Sequence, residues 1–481
     1  MCFSLHMKRA AGTWQTISRT QLAIYPLSTR LKLLIGQSLL LLAVCLVPVS
    51  TMAQDAPVVP DATPTPTPSH WNWSLMIRNR TGFKLNHPHQ FQLSRTIVDG
   101  KGRYKINDNW RLALEARAHY DPVKKLGYPS SLWLDPRQVL LEGKVKQVDL
   151  KLGLQQVVWG QADGLRVLDV INPLDYREFI LEDFLDSRRP LWMARADLPL
   201  AKGSLQLLWI PYFAPGRLPV EGDEFGVGQS FGSGLIKAAL ADSPLAQLSI
   251  QTDKAKRPAY NLKASQFGAR FSQSLGSWDW TANYFFGWED VPTNYLGGIA
   301  TQSNKPLPIL VLSPSYDRKE VLGMTGTTNF GPVVLRLEAG WNRKRAVAVT
   351  DQPIQDGYIK TCQISSVAGL DYSPREWVWL SGQYFYSQVT VSRERLLFPQ
   401  QTHLLSFAIR TKFFRDQFKP ELFILTGLNQ QQYLLRPRIW RNWGDFWGMG
   451  IGADFLGGST RNVFGYFQSR DRIVLELKWQ R

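Results

Sequence analysis

The feature that most limits what this chain can fold into is an alternation of apolar and polar residues with period two, recurring in blocks of about ten residues. In 110–120, Leu112, Leu114, Ala116, Ala118 and Tyr120 share one face, and Arg111, Glu115, Arg117 and His119 share the other. In 332–342, Val333, Leu335, Leu337, Ala339 and Trp341 oppose Arg336, Glu338 and Asn342. Segments 277–288, 403–413 and 446–455 follow the same rule, with Trp and Phe on the apolar face. A strand that crosses an outer membrane needs about 9–11 residues, apolar toward lipid and polar toward the lumen. A soluble β-sandwich would turn its polar face outward and would not expose so many aromatics.

Tight-turn signals stand at Asn107-Asp108-Asn109, Ser274-Leu275-Gly276-Ser277, Asn329-Phe330-Gly331-Pro332 and Tyr372-Ser373-Pro374-Arg375. Between other blocks the connections are long: 121–135, 160–190, 214–261 and 289–317. Segments 214–261 and 415–445 show no clear turns. The expectation is an all-β fold over 71–481: a single transmembrane antiparallel β-barrel of about 16–18 strands with short periplasmic turns and long extracellular or inward-folded loops.

Two further regions precede this one. Arg30 and Lys32 precede an apolar run from Leu33 to Val49, which Thr51-Met52-Ala53 follow. That order reads as a signal peptide over 1–53, with Met7 as an alternative start. Residues 54–70 are Pro-rich and read as an extended periplasmic tail, a candidate contact for a periplasmic partner. No later run approaches 18 apolar residues, so no transmembrane helix is expected.

The formal charge is +17; five of the basic residues lie in 1–53, which leaves +12 beyond it. The Lys and Arg residues are spread out rather than clustered, which argues against nucleic acid. Cys2 and Cys45 fall in the targeting segment, leaving Cys362 without a partner for a disulfide or a thiolate metal site. No cofactor and no metal are expected. His119, His403 and the His87-Pro88-His89 pair are the residues that chemistry or weak metal binding would use, but no hydrolase or phosphate-loop motif accompanies them. A channel is therefore expected ahead of an enzyme.

One segment breaks the alternation. Residues 159–193 read WGQADGLRVLDVINPLDYREFILEDFLDSRRPLWM. Seven acids (Asp163, Asp169, Asp175, Glu178, Glu182, Asp183, Asp186) mix with Arg166, Arg177, Arg188 and Arg189. Asp175 and Glu178 suggest a capped helix over 176–185. The segment is too charged for lipid. It is expected either to cover the barrel mouth or to fold inward as a constriction, facing basic wall residues. The assigned wall includes Arg111, Glu115, Arg117, Arg336, Glu338, Arg410, Lys412, Arg436 and Arg438, with Trp377, Trp379 and Phe385 as inward aromatics. A basic lumen favours anionic solutes; charges paired across strands would merely keep it wet.

The C-terminal RIVLELKW, 472–479, places Ile473, Leu475, Leu477 and Trp479 on one face. It resembles the closing strand of outer-membrane proteins, although Gln480-Arg481 follow the aromatic. Over 71–481 the pattern is similar to the porin superfamily. The WG pair, INP turn and acidic stretch of 159–193 are similar to a tract in an uncharacterised family of outer-membrane channel proteins. The resemblance implies the outer membrane of a Gram-negative bacterium, contact with lipid and lipopolysaccharide, reading of the last strand by the barrel-assembly machinery, and passage of a small-molecule solute. A homo-oligomer is compatible with it. The other role it leaves open is a component of polysaccharide or lipid export.

Overall fold

A computed structural model describes residues 70–128, 130–226, 233–239, 247–300, 308–349 and 357–481. The expected signal peptide and all but the last residue of the Pro-rich tail lie outside these. The unit considered below spans Pro66–Arg481.

The first seven strands are β1 (Trp71–Lys84), β2 (Phe91–Lys105), β3 (Trp110–Tyr120), β4 (Leu132–Val145), β5 (Val148–Gln155), β6 (Leu191–Leu200) and β7 (Gly203–Ile210). Then come β8 (Ser249–Thr252), β9 (Gln266–Leu275), β10 (Trp278–Trp288), β11 (Thr293–Ala300), β12 (Ile309–Ser315), β13 (Arg318–Phe330) and β14 (Val333–Ala348). The last seven are β15 (Tyr358–Arg375), β16 (Val378–Val389), β17 (Gln401–Thr411), β18 (Phe418–Gly427), β19 (Gln432–Trp443), β20 (Trp447–Gly458) and β21 (Arg472–Gln480). Among the described residues, eighteen of these form one antiparallel sheet, each strand beside its successor, and β1 pairs with β21 from Met76↔Gln480 to Lys84↔Arg472. That last pairing closes the barrel and removes its edges. Strands β8, β11 and β12 form a separate small sheet inside two long connections.

Register follows the alternation. Leu112, Leu114, Ala116 and Ala118 face out and meet the outward residues of β2 and β4, whereas Arg117 sits opposite Asp99 and Asp135 inside. The outward set of β14, Leu335, Leu337, Ala339 and Trp341, lies opposite outward residues of β13 and β15. Ile473, Leu475, Leu477 and Trp479 all face out on the closing strand. The outer wall carries exposed Trp192, Trp209, Phe267, Met324, Ile364, Phe407 and Ile451. Such a surface is stable in lipid and not in water.

The two ends differ. At one, the turns have two to six residues, and both β1 and β21 have their chain ends there. Gly276 and Gly331, with φ +61° and +58°, supply the left-handed backbone for two of these turns. At the other end the connections include 156–190, 211–265 and 289–317. Short turns mark the periplasmic end of such barrels. One turn differs from its sequence reading: β15 runs through Arg375, and the turn lies at 376–377. Two bulky exposed residues, Glu376 and Trp377, occupy it, which turn-residue statistics do not anticipate.

Candidate functional site

Segment 156–190 leaves β5 and folds into the barrel. Its two stems are stapled by Asn172, whose side-chain oxygen accepts the Val157 N–H at 2.8 Å while its amide donates to the Arg189 carbonyl at 2.8 Å. The segment then reaches inward-facing side chains on most of the wall, so it lies across the lumen as a plug.

Three groups of contacts hold it. The first is apolar. Val157, Trp159, Leu168 and Ile171 pack on Leu191 and Met193 of β6, Leu208 and Ile210 of β7, Phe285 of β10 and Val321 of β13. Gly323 and Gly340 face inward here; a Cβ at Gly323 would lie 2.3 Å from the Leu168 side chain. The second is also apolar. Phe179 and Leu181 pack with Phe225, Phe464 and Phe467 from other loops, and with inward Leu93, Val367, Phe385, Leu404, Leu425, Leu434 and Leu456. These wall residues sit near the long-loop ends of their strands. The rule of a polar inward face fails there because the plug and loops, not water, cover it.

The third group is ionic. Glu178 is buried and accepts from Arg80 and Arg95, with Arg472 at 3.2 Å. Glu182 binds Arg80 at 2.8 Å and Arg95 at 2.7 Å, and Asp186 binds Arg78 at 2.5 Å and Arg117 at 2.6 Å. On the opposite wall Asp163 meets Arg336 at 2.8 Å and Gln383 at 3.2 Å. Glu338 accepts the Gln161 and Leu168 N–H groups at 2.7 and 2.5 Å. Burial pushes the Asp186 carboxyl up, but Arg78 and Arg117 outweigh it and hold it down to about 2. Glu182 is held well below its ordinary value, because Arg80 and Arg95 outweigh its burial.

Other plug charges tie the segment to itself. Arg166 and Arg188 share Asp169 at 3.2 and 2.7 Å, and Arg177 forks onto Asp175. Asp183 is mostly exposed, with Arg78 at 3.8 Å as its one cationic partner among the described residues. The expected helix over 176–185 is absent. A turn occupies 177–180, and a single helical turn, α1, spans Phe184–Ser187. Phe179 has φ +57°, which interrupts a right-handed helix, and Glu178 is engaged by arginines rather than by a cap.

Of the assigned wall residues, Arg111, Glu115, Arg117, Arg336, Glu338, Arg410, Arg436 and Arg438 stand on the inward face. Lys412 does not. It lies in the turn after β17 and pairs with Asp416 at 3.5 Å, because the strand ends one residue earlier, at Thr411. Trp379 and Phe385 face inward, whereas Trp377 belongs to a turn. Sequence reasoning missed Arg78, Arg80, Arg95 and Arg472, the principal partners of the plug. The first two and Lys84 keep period two in β1, a signal within reach; that Glu178 meets them is long-range. Asp454, wholly buried, binds Arg436 at 2.9 Å, Arg472 at 2.7 Å and also Arg438.

His119 stacks on Trp133, and neither ring nitrogen has a hydrogen-bond partner among the described residues. His403 faces outward and meets the Tyr384 hydroxyl at 2.6 Å. No three His, Cys, Asp or Glu side chains among the described residues form a metal-binding group.

Closed antiparallel strands, an apolar exterior and a polar lumen crossed by an inward loop define a β-barrel of the outer-membrane type. The chain belongs to the family described as "Protein of unknown function (DUF1302)", matched over residues 137–402, just over half of the chain. Among solved structures, Acinetobacter baumannii OccAB2 aligns with a TM-score of 0.50 at 10% identity, covering 85% of this chain and 98% of that one. Pseudomonas aeruginosa OccK8 (OprE) gives 0.49 at 9% identity, over 85% and 98%. Salmonella typhi OmpF, in complex with daunomycin, gives 0.40 at 9%, over 85% and 97%. Of these three the OccAB2 likeness carries the comparison, and at that identity it speaks for the fold alone. No curated protein matches the chain.

Proposed function

We propose that the barrel is a solute channel and that the plug is its constriction. The observation that carries this is a cavity of about 430 Å³ between the plug and the β17–β21 wall. The plug side of it presents Asp163, Glu182 and Phe184; the wall side presents Arg410, Arg438 and Trp440. That size suits a small organic solute. Arg410 is exposed in the lumen, lies 4.4 Å from the Trp379 ring, and has no carboxylate partner among the described residues. A free guanidinium beside an aromatic face favours small anions, including those with an aromatic or apolar body.

Single-channel conductance of the refolded protein in a planar bilayer, with a salt gradient, tests the reading. The expected result is stable steps with anion preference, larger after deletion of 163–188. A folded barrel that never conducts, with or without 163–188, removes the channel reading. Steps whose size ignores the deletion remove the constriction.

The closing-strand face Ile473, Leu475, Leu477 and Trp479 supports a second, separate role in recognition by the assembly machinery. Replacing Trp479 by Ser then lowers the amount of folded barrel in the outer membrane while refolding into detergent persists.

A further inference from the structure

At the long-loop end of the barrel, where the plug meets β3 and β4, arginines outnumber the acids that face them. Asp135 of β4 takes Arg137 at 3.3 Å and Arg217 at 3.0 Å. Asp175 of the plug takes Arg177 at 2.5 Å and Arg217 again at 3.6 Å. Arg189 lines the same space; it donates to the Pro215 carbonyl and has no carboxylate partner among the described residues. Four guanidiniums therefore share two carboxylates. Asp186 and Glu182 also border the space, but they are engaged by Arg78 and Arg117, and by Arg80 and Arg95.

The space these groups enclose is a cavity of about 20 Å³. That is room for one water-sized occupant. The chemistry of its lining is one-sided. Among the described residues the Nε–H groups of Arg95, Arg137 and Arg189 lack an acceptor, and that of Arg78 has only Glu476, at 3.7 Å. His119 borders the same cavity, is only 7% exposed, and has no hydrogen-bond partner for either ring nitrogen among the described residues. Every bordering carboxylate oxygen already accepts from an arginine. A water must donate two hydrogen bonds as well as accept, and the acceptors it finds here are one nitrogen of a neutral His119 and carboxylate oxygens already engaged by arginine, against a larger number of donors. An anion only accepts. Uncompensated buried charge is costly, so an excess of arginine around an enclosed space calls for a counter-charge.

We propose that this cavity binds one small inorganic anion of chloride size, which joins the plug arginines Arg177 and Arg189 to Arg137 on the wall and Arg217 on the next loop. Burial and the neighbouring Arg217 push the Arg189 guanidinium down to about 10, outweighing Asp175 and Asp135, which pull it the other way. The site is independent of the passage beside β17–β21, and the anion is a part of the plug's seat whether or not the barrel conducts.

The test uses the folded full-length barrel in detergent, first freed of chloride by exchange into gluconate. Chloride is then titrated in while the ³⁵Cl linewidth is followed. The expected result is saturable excess broadening that Arg189→Gln weakens at least tenfold and Arg189→Lys largely restores. Since Arg189→Gln could also loosen the plug, crystals of the unaltered protein grown in bromide supply a second readout. A bromide anomalous peak in contact with Arg137 and Arg189 is expected there. Broadening that is absent, or equal in Arg189→Gln, overturns the proposal. So does a bromide-free cavity holding a water.

Discussion

Replacing Glu178 by Gln tests whether the ionic contacts hold the plug. Its carboxylate is buried among Arg80, Arg95 and Arg472. Breaking a buried ion pair by removing one partner costs about 3–5 kcal/mol, since it strands the other charge. Here the strain is shared: Arg80 and Arg95 keep Glu182 at 2.8 and 2.7 Å, and Arg472 keeps Asp454 at 2.7 Å. The lower end of that range, about 3 kcal/mol, is the expected loss. At about 1.4 kcal/mol per decade, the opened population of this part of the plug rises on the order of a hundredfold. Hydrogen exchange followed by mass spectrometry reads it on peptides over 174–190. There the Leu181 N–H bonds the Glu178 carbonyl at 3.0 Å, and the Ser187 N–H bonds the Asp183 carbonyl at 2.8 Å. Glu115→Gln is the comparison. Its partners Lys101 and Arg117 lie at 3.4 and 3.5 Å outside the plug, and a change near or below about 1 kcal/mol is expected. If exchange over 174–190 stays at the unaltered level in Glu178→Gln, the Glu178 ion pairs do not hold the plug and the argument from them fails.

Acid should release the Asp186 contacts only at low pH. The folded Asp186 carboxyl titrates near 2, below its ordinary 3.8, so its stabilisation is complete above 3.8 and is lost as pH falls from there toward 2. Exchange over 174–190, corrected for intrinsic rates, should be unchanged between pH 7 and about 5; loosening in that interval contradicts the assignment. Gly323→Val places methyl groups against Leu168, where even a Cβ comes within 2.3 Å, and should raise conductance by displacing the plug without unfolding the barrel. A Leu168→Ala change on that background should restore the smaller step. Leu337→Arg puts a charge on the lipid face and should cost about 2–4 kcal/mol in reversible folding, whereas the inward Arg410→Gln should leave folding nearly unchanged and reduce anion preference.

Much of the fold was legible in the chain because lipid keeps the outward face of each strand apolar. Lipid on one side and water on the other assign each residue of β3, β14, β20 and β21 to a face, and pairing register then has little freedom. The long 156–190 and 211–265 connections were also legible, as breaks in the period. Their course was not. Whether Glu178 lies above the mouth or inside the lumen depends on arginines about a hundred residues upstream and about three hundred downstream, Arg80, Arg95 and Arg472. Closure alone brings those strands together, through the pairing of β1 with β21.

The sequence by itself determined that this protein is a lipid-facing barrel with a charged interruption, since alternation and turn chemistry are local and need no knowledge of distant partners. Only the tertiary structure decided that the interruption is a plug. Val367, Phe385 and the leucines on the inward faces of β15–β20 are errors for a water-filled lumen. They become a packed core once Phe179 and Leu181 cover them, and no local pattern records that cover.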